Sequence, residues 1–232
     1  MLAATGDGGL SDALGEGTRL SPGDLAAAQR SLPHLSELSA GETFQAFLVN
    51  QFLVLFMLTP LFIPLTIASY SIVGEKQLRS LEPLLATPIR TWELLVAKSL
   101  AAAVPGILVT WASYATFVLA SRRLVSDAVF AFIIGPTWLV GFALLAPLFS
   151  LLAVGLAVLA SSRTYDPRAA QQLGAVVILP VAGLLFAQVA GLVLLDVRLM
   201  LVIAVAAALI DLALLLAAVR MFRREAILTR WT

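Results

Sequence analysis

An all-α bundle of about five membrane-spanning helices is the fold class that this sequence predicts. Two observations carry the prediction. Sixty per cent of the 232 residues are hydrophobic and only 12% are charged, where a soluble domain carries about 25% charged residues. The charges also cluster, leaving five long apolar runs, and a helix crosses the ~30 Å hydrocarbon core with roughly 20 such residues. The expected spans are residues 46–73, 99–121, 138–161, 169–192 and 199–219, within a transmembrane domain at 43–222. A soluble helix of that length shows a polar face, and these runs have none.

Composition excludes several chemistries. The chain has no cysteine, so disulfides, thiolate metal sites and cysteine nucleophiles are absent. Its single histidine, His34, lies in the polar N-terminal tail, which leaves no histidine metal cluster and no serine–histidine pair in the membrane. No catalytic site is expected in this chain. The lipid bilayer is the first partner the composition implies, and nothing points to nucleic acid.

Charge placement sets the expected topology, because cytoplasmic loops collect Lys and Arg. Lys76, Arg79, Arg90, Lys98, Arg163, Arg168, Arg220, Arg223, Arg224 and Arg230 must share one side, against Arg19, Arg30, Arg122, Arg123 and Arg198 on the other. Ten against five puts the basic 223–232 tail in the cytoplasm and the N-terminus outside. The tail at 1–42 agrees, with Asp7, Asp12, Glu16, Asp24, Glu37 and Glu42 against two arginines and no apolar region of a signal peptide.

In chain order, the first span contains Pro60 and Pro64, and Pro105, Pro147 and Pro180 fall in the next three, so kinks are expected. Such kinks are either plain helix geometry or flexing points between inward-open and outward-open states. The apolar run at 128–162 exceeds one crossing. Gly135-Pro136 divides it into a short interfacial piece and a span starting near Trp138. Asp166-Pro167 reads as an N-cap followed by proline in the first helical position. A short connection around Asp196 and Arg198 then leads into the last span.

The stretch 74–98, GEKQLRSLEPLLATPIRTWELLVAK, is polar yet patterned. Leu78, Leu81 and Leu85 give a short helix an apolar stripe, Thr87-Pro88 breaks it, and Thr91 caps the next helix with Glu93 in its first turn. This amphipathic helix either rests on lipid headgroups or docks in a groove of a cytoplasmic partner.

The same stretch resembles the signature loop of ABC-2 type permeases, the membrane subunits of ATP-driven exporters. The likeness lies in Glu75-Lys76, in Ser80-Leu81-Glu82-Pro83-Leu84-Leu85-Ala86-Thr87-Pro88-Ile89, in Trp92-Glu93-Leu94-Leu95 and in Lys98. Ser161-Ser162-Arg163 and Asp166-Pro167-Arg168-Ala169-Ala170-Gln171-Gln172 resemble the region that precedes the penultimate span of those permeases. Together the likeness covers roughly residues 44–225.

The resemblance implies a coupling helix, with Glu75, Lys76, Leu78, Arg79, Leu81, Glu82, Leu84, Leu85, Thr87 and Pro88 docking on a separate ATP-binding subunit. Arg163, Asp166 and Arg168 would form a second cytoplasmic loop. ATP and Mg would sit on that partner, since no G-x-x-x-x-G-K-[ST] phosphate loop occurs here. A second permease copy or a paralogue would complete a dimer. Two departures stand out. Arg90-Thr91 occupies a position where the family often carries serine. The family also usually has six spans with both termini cytoplasmic, so a further first helix is expected in the working subunit.

Polar residues inside the spans are the candidate translocation path: Asn50, Gln51, Gln188 and Asp211. Asp211 is the one charge within a span and lies past the midplane toward the cytoplasm, on a face with Ala204, Ala207, Ala208 and Ala218. It is either a packing residue or part of a substrate or proton path. The second function class is therefore an ion-coupled secondary transporter using Asp211, and a third is a non-transporting scaffold. The sequence does not select a substrate.

Overall fold

A backbone in hydrocarbon has to satisfy its own N–H and C=O groups, and continuous helix does so within each segment. The computed structural model describes residues 40–78, 91–190, 192–193 and 195–221, and every regular element among them is helical. Five helical stretches are long and apolar enough to cross a membrane. The first is α1, Ala40–Gln77. The second is α2, Thr91–Ser121, which begins ahead of the expected 99 and carries Glu93 in its first turn.

The third stretch is compound. It consists of α3 (Asp127–Ile133), α4 (Pro136–Val140), a π-helical turn (Gly141–Leu145) and α5 (Ala146–Ser162). Gly135 caps α4 and Pro136 opens it, so the chain breaks where the Gly-Pro pair predicts. The fourth runs through α6 (Pro167–Gly174), a 3-10 turn (Ala175–Val177) and α7 (Ile178–Val189). The fifth is α8, Val197–Met221. Asp196 opens it by accepting the Leu199 N–H at 2.8 Å.

α1 is the central post and packs against α2, α5, α6 and α7. Its buried residues Leu53, Met57, Leu61, Leu65, Ala68 and Ile72 recur every three or four positions, which makes one continuous apolar stripe. Close approach is bought with small residues: Gly106 of α2 lies against the ring of Pro64, and Gly174 of α6 against Leu65. α8 is the most peripheral helix, with 17% of its apolar window buried against 56% for the third stretch. Its exposed Val202, Val205 and Leu209 form a lipid-type surface.

The prolines act less uniformly than expected. Helix runs unbroken through Pro60, Pro64 and Pro105. At Pro147 the backbone changes register instead. The Ala146 N–H bonds to Gly141 O, five residues back, and residue 147 has no N–H to offer. Phe142 O is thus left without a donor on its own helix, and the indole Nε1–H of Trp111 supplies one at 2.7 Å. The hydroxyl of Tyr114, one turn along α2, donates to Ile133 O at 2.9 Å where α3 ends. Two breaks in one span are therefore satisfied by its neighbour, the condition under which irregular backbone persists in a membrane.

Rings pack around these bonds. Tyr114 stacks on Phe142 at 4.0 Å and 11°, and Phe117 on Trp138 at 5.4 Å and 6°. Phe56 of α1 meets Phe117, Trp138 and Phe142 edge-on.

Candidate functional site

One end of the bundle, the loop end, brings together the close of α1, the opening of α2 and the turn between α5 and α6. Glu75 of α1 forms an ion pair with Lys98 of α2, both part-buried. The pair spans the base of the segment between the two helices. The Gln77 side-chain amide donates to Tyr165 O at 2.8 Å, tying the same end of α1 to the α5–α6 turn. Beneath them Val73, Ala160 and Ala170 form a small apolar cluster. Two turns back along α1 from Val73, Gln171 Nε2 donates to Thr66 Oγ1 at 2.8 Å.

Within this end, Asp166 caps α6 by accepting the Arg168 N–H at 3.0 Å, as the Asp-Pro pair predicts. Its carboxylate is occupied locally, while Arg163 and Arg168 are exposed. Leu78, which closes the described part of this segment, is 80% exposed. Lys76 lies within α1. Arg79, Leu81, Glu82, Leu84, Leu85, Thr87 and Pro88 lie outside the described residues, as do the 1–39 and 222–232 tails. Thr91 is the first described residue of α2, and the expected cap lies outside what the structure describes.

The intramembrane polar residues separate into two places. Asn50 and Gln188 are nearly fully buried and adjacent: Gln188 Nε2 donates to Asn50 O at 3.2 Å, joining α1 to α7 far from the loop end. Asn50 Oδ1, Gln188 Oε1 and both amide atoms of Gln51 are buried without a hydrogen-bond partner. Asp211 lies elsewhere, on the packed face of α8 with Met200, Ala204, Ala207 and Ala218. Leu214, one turn on, sits directly against Gly155 of α5. Both Asp211 carboxylate oxygens are buried and unpartnered. Ala208 is a correction: it is exposed and does not share this face, because the stripe follows 200, 204, 207, 211, 214 and 218. Among the described residues no cluster of three or more His, Cys, Asp or Glu residues could hold a metal ion.

A family model described as ABC-2 family transporter protein matches residues 18–211. The chain belongs to the ABC-2 transporter family. No curated protein and no solved structure matches it. This ABC-2 chain is a multi-pass membrane protein and supplies the membrane component of its transporter. Permeases of the family generally work with an ABC ATP-binding subunit.

In the ABC-2 chain the structure joins the two loops that sequence treats separately, through Gln77 and Tyr165. It keeps Asp211 apart from Asn50 and Gln188. Sequence reasoning misses the Trp111–Tyr114 clasp altogether. Its signals are a proline at 147 inside a span, Trp111 and Tyr114 at helical spacing, and Trp138 and Phe142 four residues apart.

Proposed function

We propose that this ABC-2 chain is the permease subunit of an ATP-driven exporter, working as a dimer with a second copy or a paralogue. Separate ATP-binding subunits hold ATP and Mg and dock on the segment 74–98. The chain crosses a cytoplasmic membrane with its C-terminus inside and its N-terminus outside. The observation that carries the reading is the convergence at the loop end. Force applied to the segment after Leu78 enters α1 and α2 together across Glu75–Lys98 and reaches the α5–α6 turn through Gln77.

Co-expression with an ABC ATP-binding subunit from the same gene neighbourhood should give a co-purifying complex. Leu78→Glu and Glu82→Lys should each reduce co-purification at least several-fold while membrane insertion stays normal. A wild-type chain that associates with no such subunit would sink the proposal.

The unpartnered Asp211 carboxyl supports a second reading, an ion-coupled transporter. Transport driven by an ion gradient, lost in Asp211→Asn and indifferent to ATP, would favour it.

A further inference from the structure

We infer that the π-helical turn at Gly141–Leu145 is a two-position register joint, and that the Trp111 indole decides which position it occupies. In the present position Ala146 N–H is held by Gly141 O, and Phe142 O depends on Trp111 Nε1–H. If α2 withdraws the indole, Phe142 O is orphaned in an apolar environment, where an unsatisfied carbonyl is strongly disfavoured. Its nearest replacement is the Ala146 N–H, four residues on. Taking that proton makes the ordinary i+4 bond at Phe142 O, while Ala143 O, whose i+4 residue is Pro147, gains no donor from it. Both positions then satisfy Phe142 O, one from a neighbouring helix and one from its own, which is what a two-state element requires. Pro147 makes the choice exclusive, because it removes the N–H that would otherwise serve Phe142 O in the π register.

The segment that moves is defined on both sides. α4 is five residues long, with the π turn at one end and the break at Gly135 at the other. A change of one residue in register turns a helical segment by about 100° and shifts it by ~1.5 Å. α4 can make that screw without dragging α3. The side chain it carries inward is Trp138, fully buried and stacked on Phe117 and Tyr114. Its Nε1–H is buried without a partner. That unsatisfied donor is a cost carried by the present position. α2 is also the helix whose far end carries Lys98, paired with Glu75 beside the proposed docking segment. The trigger rests on the permease reading; the joint itself does not.

The chain has no cysteine, so spin labels can be placed at Leu139→Cys on α4 and Val202→Cys on α8, both exposed, without altering other residues. Distances between them are measured in the full chain in lipid nanodiscs, with no ATPase present. Trp111→Phe, which keeps a ring and removes the donor, should move the main distance by several ångströms, since a side chain carried about 100° around a helix of ~10 Å diameter is displaced by roughly 8 Å. A Trp111→Phe distance equal to the parent's overturns the joint. If Trp111→Phe does not fold, Trp111→His, which keeps a ring N–H, and Trp111→Met, which does not, repeat the comparison. Only the donor-less member should shift, and equal distances in the two would overturn the proposal.

Discussion

The side-chain amide of Gln77 donates to the backbone carbonyl of Tyr165 at 2.8 Å, across 88 residues of sequence. With Glu75–Lys98 it fastens three helix ends into one unit at the loop end. An exposed polar bond adds little to stability, and an exposed or part-buried ion pair adds roughly 0–1 kcal/mol. In the proposed permease these contacts act mechanically, because helix ends tied to one another share a load.

Lys98→Glu, which sets two carboxylates against each other at the base of the segment, should change thermal stability by no more than about 1 kcal/mol. In a complex with the ATP-binding subunit it should lower substrate-stimulated ATP hydrolysis several-fold. The exchanged pair Glu75→Lys with Lys98→Glu should recover most of that loss. Equal hydrolysis in all three chains would show that the ion pair transmits nothing.

Helix approach at two glycines should be sharply size-limited. A Cβ at Gly106 would lie 2.4 Å from Pro64 Cγ, and one at Gly174 would lie 2.5 Å from Leu65 Cδ1. The proline ring cannot rotate away, whereas the leucine can change rotamer. Gly106→Ala should therefore destabilise the bundle more than Gly174→Ala, with overpacking costing about 1–3 kcal/mol. Leu65→Ala should rescue Gly174→Ala. Thermal unfolding in detergent micelles gives the ranking, and the reverse order would refute this account of the packing.

Gln188→Leu removes the buried bond to Asn50 O. Interhelical hydrogen bonds in membranes contribute about 0.6 kcal/mol on average and up to ~1.7. The loss should fall in that range, partly offset by the apolar replacement. If these residues line the path, transport should fall by much more than stability does. A proportional fall in both assigns them to packing alone.

Single cysteines at Arg123 and Arg163 should label from opposite sides of the membrane. Both side chains are exposed and stand at opposite ends of the third helical stretch. Arg163 should react with an impermeant maleimide only from the cytoplasmic side. Labelling of both from one side would overturn the charge-based topology.

Much of the architecture is legible because single residues dictate it locally. Asp166-Pro167 starts α6 locally, since the carboxylate accepts the Arg168 N–H of the first turn and proline needs no acceptor there. Gly135-Pro136 ends one for the complementary reason. The small-residue face of α8 is readable at Ala204, Ala207 and Ala218 because burial follows the helical period. It fails at Ala208, where the neighbour's position rather than composition decides exposure.

The sequence by itself determined the five membrane-length helices, the helix starts at Pro136 and Pro167, and the family-like segments at 74–98 and 161–172, because apolar length, proline geometry and local capping act within one segment. Only the tertiary structure decided that Gln77 meets Tyr165, that Asp211 stands apart from Asn50 and Gln188, and that Pro147 answers with a π turn held by Trp111. Each of these depends on which helix stands beside which. A freed carbonyl in hydrocarbon has to find a donor, and that donor came from a residue 31 positions away, at a distance that no local pattern encodes.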